Sequence, residues 1–305
     1  MRTAFITQLI EEARKNDKIF LIVGDLGFSV VEPFVEEFPN QFLNIGIAEQ
    51  NMAGVAAGLA LEGYCVYIYS IGNFPTLRCI EQIRYDICYH NLNVKIIAVG
   101  GGYSYGSLGP SHHATEEIGM LRTIPNLTVC SPGDPIEAKE LTKLSANTYG
   151  PCYIRLGKAG EPIVHESDFE MKIGNFLPII VGEKNALFTM GATLKYAKDY
   201  VLNNKLNASV YSFPFVKPIN KTNILNLFIK YENIITIEEH QFDAGFGSAI
   251  LEVLNDLIEE GLLTNIQIPK IKRIAIPNKF FSIAGTQDYL RNAAGVILET
   301  NFFKN

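Results

Sequence analysis

Short apolar runs alternate with amphipathic or small-residue segments along the first half of the chain. Runs at 18–23, 65–70, 94–99, 127–130 and 152–156 are apolar almost throughout, which is typical of strands buried on both faces. Segments with helical signals separate them, at 44–60, about 75–89, 116–122 and 135–147. This alternation predicts a mostly parallel sheet with helices on both faces.

The second half repeats the pattern after a segment rich in glycine and proline between 157 and 182. Its strands are expected near 186–190, 208–213, 233–238 and 272–276, and its longest helix at 245–260. With 305 residues the chain is long enough for two full cores. The predicted fold class is therefore α/β with two doubly wound domains, at 1–160 and 183–305, joined by a linker at 161–182.

Composition excludes several classes of function. The 26 basic and 32 acidic residues give a net charge of −6, and they form no basic cluster that suits nucleic acid. No apolar run is long enough to span a membrane, and the first residues lack the features of a signal peptide. The five cysteines have no metal-binding spacing, so we expect buried free thiols and a cytoplasmic protein.

Residues 44–60, NIGIAEQNMAGVAAGLA, predict a helix of very small side chains. Such a helix packs closely against a sheet, a second chain or a ligand. Glu49 is the only ionisable group in its first turns, and a carboxylate is costly to bury there without a partner. Two interpretations stay open from the residues alone, a carboxylate that complements the helix dipole and an acid that takes part in proton chemistry.

The loop at 100–116 carries the second candidate site. Its five glycines allow close approach of the backbone to a ligand, and His112 and His113 precede a helix. Histidine suits proton transfer near neutral pH, although a helix cap with one surface histidine explains the same residues. The triple glycine lacks the spacing of a dinucleotide-binding motif. No residues in the chain match a diphosphate and Mg²⁺ site, and we assign no metal ligand.

Two of these motifs resemble segments of transketolases. GIAEQNMAGVAAGLALEG is similar to the pyrimidine-binding segment of that family, and GPSHH resembles its GPTHQ segment and that of 1-deoxyxylulose-5-phosphate synthases. Segments at 124–129, 131–134, 150–156 and 238–248 also resemble transketolases, so the resemblance covers most of the chain. The chain looks like the C-terminal subunit of a split transketolase.

The resemblance implies thiamine diphosphate as cofactor and assigns roles to particular residues. Glu49 would contact the aminopyrimidine ring, and Phe74 would stack on it, with Tyr69 and Arg78 close by. His112 would reach the sugar oxygens and assist catalysis. The role of His113 is open, because the family usually has glutamine there.

Departures from the family pattern bear on the substrate. Leu108 stands where the family has an acidic residue that reads sugar hydroxyls, and glycines near Gly100 replace a phosphate-contacting histidine. Arg155 matches an arginine that binds substrate phosphate. The resemblance therefore implies transfer of a two-carbon ketol unit from a ketose to an aldose, with an unusual or modified sugar or sugar phosphate as substrate.

A missing diphosphate site implies a partner chain. We expect an N-terminal transketolase subunit to hold the diphosphate and Mg²⁺, and a heterotetramer of two plus two chains to form around the cofactor. One alternative is the β subunit of a 2-oxo acid dehydrogenase E1 component, which shares this domain layout. The other is a non-catalytic regulatory or binding subunit that keeps only the fold.

Overall fold

Two β-sheets organise the computed structural model, which describes residues 1–167, 169–263 and 268–303. The strands, in chain order, are β1 Ile19–Val23, β2 Phe42–Asn44, β3 Cys65–Ile71, β4 Val94–Val99, β5 Thr128–Cys130, β6 Cys152–Leu156, β7 Leu177–Ile180, β8 Asn185–Thr189, β9 Ala208–Ser212, β10 Phe215–Lys217, β11 Asn233–Gln241 and β12 Lys270–Ile276. The α-helices are α1 Arg2–Ala13, α2 Glu32–Glu37, α3 Glu49–Leu61, α4 Ile80–Gln82, α5 Glu117–Arg122, α6 Pro135–Ala146, α7 Thr193–Asn203, α8 Lys221–Lys230, α9 Phe246–Glu259 and α10 Gln287–Ala294.

The first sheet has the order β10-β5-β6-β4-β3-β1-β2, and its strands are parallel except for β10. The second has the order β12-β11-β8-β9-β7, and only β7 is antiparallel. The predicted fold class, α/β with two doubly wound sheets, is confirmed. No helix among the described residues is long and apolar enough to cross a membrane.

Among the residues that the structure describes, buried apolar side chains form three groups. One lies between the first sheet and α1 and α6, and another covers the outer face of the second sheet. The largest begins under α3 and runs without a break into the second sheet, from Met52 and Ile68 to Phe188 and Phe246. All five cysteines are buried free thiols, as the sequence predicts.

The segment at 75–89 differs from the single regular helix that its pattern predicts. A 3₁₀ turn and the short α4 lead into a π-helix over Ile83–Cys88. Cys79, Ile83 and Ile87 are all fully buried, at intervals of four residues. Residues four apart share one face of a helix, so the three side chains form a single buried face although the helix type changes between them.

The predicted linker at 161–182 also differs in detail. Its end forms β7, which pairs with β9 at the edge of the second sheet. Its beginning is tied to the first domain, because Asp134 accepts hydrogen bonds from the backbone N–H groups of Val164 and His165, at 2.8 and 3.0 Å. β10 crosses back from the second half to join the first sheet. The segment is therefore held at both ends.

Candidate active site

Glu49 occupies the first position of α3, at the carboxyl end of β1 and β3. Its side chain is 4% exposed. Gly24 follows β1, and a Cβ placed on it would lie 3.6 Å from Cγ of Glu49 and 3.7 Å from Oγ of Ser70. The hydroxyl of Ser70 is buried and has no hydrogen-bond partner in the part of the chain that the structure describes. The Glu49 side chain and an unpaired hydroxyl thus both lie close to the backbone at Gly24.

Three more predicted site residues are connected to Glu49 by a chain of contacts. Nη1 of Arg78 is 3.4 Å from Oε2 of Glu49, and the guanidinium sits 4.6 Å from the centre of the Phe74 ring. The ring of His112 meets Phe74 edge-on, with centroids 5.6 Å apart. Nδ1 of His112 is 3.0 Å from the hydroxyl of Ser111. Glu49, Phe74, Arg78 and His112 therefore form one cluster, which we call the acid–aromatic cluster.

The ion pair within this cluster is loose. Its 3.4 Å separation is long for a charge-assisted hydrogen bond, and Arg78 is 54% exposed. An exposed guanidinium remains hydrated, so the pair contributes little stability. The buried carboxylate therefore keeps most of its hydrogen-bonding capacity for a ligand.

Two further predicted site residues, His113 and Leu108, differ in burial. The ring of His113 is buried and meets Tyr103 edge-on, with centroids 5.1 Å apart. Burial lowers the pKa of His113 below its ordinary value, against the opposing effects of a hydrogen bond to the Gly106 backbone and of the nearby Glu116 carboxylate. Leu108 ends a 3₁₀ turn and is exposed.

The structure does not bring Tyr69 to the cluster. Successive residues of a strand point to opposite faces of the sheet, so Tyr69 lies on the face away from Ser70. It is buried against α1, where its ring stacks on Phe5 at 5.9 Å. Tyr69 is therefore a core residue, and the prediction that it contacts the cofactor is not retained.

Arg155 is also placed differently from its predicted role. It is buried, its Nε lies 2.8 Å from Oε1 of Glu117, and its Nη2 donates to the backbone carbonyls of Ala114 and Glu239. Burial raises the pKa of Glu117, which the guanidinium charge opposes. Because the guanidinium is already engaged by a carboxylate and two carbonyls, Arg155 joins the domains and is not retained as a phosphate ligand.

A buried carboxylate that sequence reasoning left without a role anchors the glycine loop. Glu239 accepts the backbone N–H of Tyr103 at 2.9 Å, and Gln287 and Arg291 donate to its carboxylate. A Cβ on Gly102 would lie 2.6 Å from Cβ of Glu239, which explains the glycine there. The triple glycine was the available signal, because it indicates close approach of another group.

Asp134, Glu137 and His165 are the three potential metal ligands that the described residues bring together. Both oxygens of Asp134 accept backbone hydrogen bonds, and Glu137 accepts from the Gly133 backbone at 2.6 Å. Nε2 of His165 is 2.8 Å from the remaining oxygen of Glu137. These groups satisfy one another, so the cluster is an anchor for the segment that follows β6.

Comparison with known proteins identifies the family. Models of the pyrimidine binding domain and the C-terminal domain of transketolase match residues 1–160 and 180–279. The chain is 31% identical to an apulose-4-phosphate transketolase subunit of Actinobacillus succinogenes, covering 92% of this chain and 88% of the relative. It is 34% identical to the protein of the same name from Phocaeicola vulgatus, over 84% and 83%.

A solved structure supports the same family. A split-gene transketolase, described as an inactive β4 tetramer, superimposes with a TM-score of 0.82 at 30% identity, covering 97% of this chain and 93% of that one. The two family models together match most of the chain, and the acid–aromatic cluster and every strand of both sheets except β7 lie within the matched residues. The chain belongs to the transketolase family.

Proposed function

We propose that this chain is the C-terminal subunit of a thiamine diphosphate-dependent transketolase and that a partner subunit completes its active site. The enzyme transfers a two-carbon ketol unit from a ketose to an aldose. The observation that carries the proposal is the buried carboxylate of Glu49 at the start of α3, with Phe74, Arg78 and His112 around it. The buried free thiols fit a reducing, cytoplasmic location.

The acid–aromatic cluster fits one half of the cofactor. A buried carboxylate suits a protonated ring nitrogen, and the half-buried ring of Phe74 offers a surface for a planar heterocycle. The other half finds no match among the residues described. Asp25, the acid after β1, is bonded to Asn44, and the Asp134 cluster satisfies itself. We therefore assign the diphosphate and Mg²⁺ sites to the partner.

Each residue of the cluster has a defined task in this proposal. Thiamine diphosphate, when bound, supplies the carbanion chemistry that breaks the carbon–carbon bond of the ketose. Glu49 holds and exchanges a proton with the pyrimidine nitrogen, and Phe74 fixes the ring plane. His112 donates hydrogen bonds to substrate oxygens, and Ser111 orients its imidazole. Arg78 closes the edge of the site.

Leu108, in the loop at 100–116, and Arg155 favour a sugar other than the usual pentose phosphates. Leu108 presents an exposed apolar side chain where a hydroxyl-reading acid is expected, and Arg155 is engaged elsewhere. Two relatives act on apulose 4-phosphate according to their names. We propose a modified sugar or sugar phosphate as substrate, and poor turnover of xylulose 5-phosphate with ribose 5-phosphate.

The partner is proposed to be an N-terminal transketolase subunit, in an assembly of two plus two chains. The related split-gene structure is a tetramer of β chains and is described as inactive. We expect the isolated chain to be inactive as well, because its own residues match only the pyrimidine half of the cofactor.

Calorimetric titration tests this proposal. Thiamine diphosphate with Mg²⁺ is titrated into the chain alone and then into its mixture with a candidate N-terminal subunit from the same organism. We expect binding and ketol transfer only in the mixture. Tight binding to the isolated chain would contradict the shared site. Failure to bind in a mixture that forms a stable complex would favour the non-catalytic alternative.

Replacement of one carboxylate tests the role of Glu49. In the mixture, Glu49→Gln is expected to lower kcat at least about 100-fold, because the amide does not exchange a proton with the ring. The matched control is Glu62→Gln at the exposed end of the same helix, which should leave kcat unchanged. Oxidative decarboxylation of pyruvate by the mixture would instead indicate the 2-oxo acid dehydrogenase alternative.

A further inference from the structure

A small cavity of about 30 Å³ lies beneath α6, near the amino ends of β4 and β6. Lys95, Cys130 and Cys152 line it from the first sheet, and Leu141 and Ser145 line it from α6. A cavity needs roughly 10–15 Å³ to hold one water, so this one has room for about two waters or for one molecule of two heavy atoms. None of its lining residues belongs to the acid–aromatic cluster.

The pairing of the strands sets two of these side chains next to each other. Lys95 and Cys152 are direct partners in the pairing of β4 with β6. Such partners lie on the same face of a sheet, on backbones about 4.8 Å apart. β5 pairs with the other edge of β6, and its Cys130 places its sulfur 4.0 Å from that of Cys152. One ammonium and two thiols therefore share this part of the sheet.

Lys95 brings a buried positive charge to the cavity. Its side chain is 1% exposed, and its ammonium donates to the backbone carbonyls of Thr148 and Gly150, at 2.7 and 2.6 Å. An ammonium has three N–H donors, so one remains after these two bonds. Burial lowers the pKa of Lys95, and the charges that oppose this effect come from neighbouring thiols, Cys152 among them. A thiolate is therefore the counter-charge that this site offers to the ammonium.

Cys152 is the thiol that is placed to ionise and react. Its exposure of 9% is the highest among the five cysteines. A hydrogen bond from the Cys130 thiol lowers the pKa of Cys152, and the Lys95 charge acts in the same direction, whereas burial opposes both. Burial raises the pKa of Cys130, which stays protonated as the donor. Positive surroundings and partial access are typical of reactive cysteines, because the thiolate is the nucleophile.

The walls of the cavity limit what can reach this sulfur. Tyr149 and Ile173, which are 68% and 42% exposed, also line the cavity, so it opens to solvent beside them. Tyr149 is the one further titratable group among the described lining residues, and no carboxylate is among them. The volume admits a molecule of two heavy atoms, such as hydrogen peroxide, and excludes bulky thiol reagents.

We propose that Cys152 is a modification site at which hydrogen peroxide oxidises the thiolate to a sulfenic acid. The sulfur attacks one oxygen of the peroxide, so that a sulfur–oxygen bond forms as the oxygen–oxygen bond breaks. Sulfur is oxidised, the peroxide is reduced, and the hydroxide that leaves is protonated by solvent to water. Lys95 stabilises the thiolate before the attack. The site needs no cofactor and is separate from the proposed ketol transfer.

Mass spectrometry of the isolated full chain tests the site. The chain is treated with hydrogen peroxide, catalase removes the excess, and dimedone added in urea then traps sulfenic acids on the unfolded chain. We expect at least about tenfold more adduct on Cys152 than on Cys79 or Cys88, which are buried and do not line the cavity. No adduct on Cys152, or equal adducts on all five cysteines, would overturn the proposal.

Two lysine variants test the contribution of the charge. Lys95→Met should slow the oxidation of Cys152 at pH 7 at least about tenfold, because less of the sulfur is then ionised. The matched control is Lys217→Met, since Lys217 also donates its ammonium to a backbone carbonyl but does not line the cavity. An unchanged rate in a folded Lys95→Met variant, checked by circular dichroism, would overturn the role given to Lys95.

The pH profile of the wild type decides the matter if Lys95→Met does not fold. The rate of Cys152 oxidation should reach half its maximum below about pH 8.5, the pKa of a free cysteine. A midpoint at or above that pH would overturn the proposal. Because no cofactor, sugar or partner is added, these tests can fail while the transketolase proposal stands.

Discussion

Two arginines of the predicted site form ion pairs of opposite character. Arg78 is half exposed and lies 3.4 Å from a buried carboxylate, whereas Arg155 and Glu117 are both buried at 2.8 Å. Sequence reasoning named both arginines as ligand-binding residues, and only burial separates them. A motif gives the residue type and its approximate place, but the neighbours that occupy a side chain come from distant segments.

Removing the two charges should therefore have unequal effects on stability. Arg155→Met leaves the buried Glu117 carboxylate without its cationic partner, which we expect to lower the free energy of unfolding by about 3–5 kcal/mol. Arg78→Met, the matched control, should cost less than about 1 kcal/mol, because its guanidinium is largely hydrated. Urea denaturation of both variants measures the difference. Equal losses would contradict the structural role given to Arg155.

A single residue, His165, is also expected to make the stability of the folded protein depend on pH. Burial lowers its pKa, but the hydrogen bond and charge of Glu137 outweigh this effect, so its pKa is raised overall. The folded state therefore holds the proton more tightly than the unfolded chain does. This contribution to stability is complete below the unfolded pKa, about 6.5, and is lost as pH rises through the higher folded pKa.

Unfolding curves measured across that pH range check the direction in which stability changes. His165→Gln is expected to have a lower free energy of unfolding than the wild type at low pH. The difference between the two proteins should become smaller above neutral pH. His90→Gln, which changes an exposed histidine, should show no such trend. A gap that widens with rising pH would mean that Glu137 does not favour the protonated imidazole.

Whole elements were easier to predict than the contacts between them. β3, β4 and β6 are apolar almost throughout and were predicted from that pattern. β7 and β10 were missed, because each is short and carries proline or polar residues that are typical of a loop. The order of strands and the crossing of β10 to the first sheet depend on long-range pairing, which a local pattern does not contain.

The candidate site shows the same difference between what a local pattern predicts and what long-range contacts decide. Glu49, Phe74 and His112 stand at the carboxyl ends of parallel strands, so the fold class was enough to bring them together. Tyr69 was placed wrongly, since its neighbour Ser70 faces the site and alternate residues of a strand face opposite ways. Glu239 was missed as an anchor, because its contact with the glycine loop joins residues far apart in the chain.

The glycine loop offers a prediction at the element scale. Gly102 has φ +62° and no room for a Cβ beside Glu239, whereas Gly109 has φ +84° and open space. Both alanine variants suffer backbone strain of about 1–2 kcal/mol, but only Gly102→Ala also displaces the carboxylate. We expect Gly102→Ala to be the less stable by at least about 1 kcal/mol in urea denaturation. Equal stability would show that Glu239 moves aside freely.

Across the whole molecule, the two sheets share one continuous core. The largest apolar group runs from α3 to α9, and Arg155 and Glu239 connect the domains through buried hydrogen bonds. Domains that share buried apolar surface are expected to unfold together. The two family models match separate parts of the chain, but the largest apolar group contains residues from both parts.

Differential scanning calorimetry tests this cooperativity. The isolated chain should show a single thermal transition, and Arg155→Met should shift it as a whole to lower temperature. Two resolved transitions in the wild type, or a variant that moves only part of the signal, would show that the domains unfold independently.

β10 also sets an order of events during synthesis of the chain. The first sheet ends at β6 in sequence, yet its outer strand is Phe215–Lys217, which pairs with β5. Until the ribosome has released that strand, the edge of β5 offers unpaired backbone groups to other nascent chains. The first domain is thus synthesised early, but its sheet is completed only after β10 has been synthesised. A slowly translated message would prolong that exposure, and a chaperone that covers strand edges would be needed most in this interval.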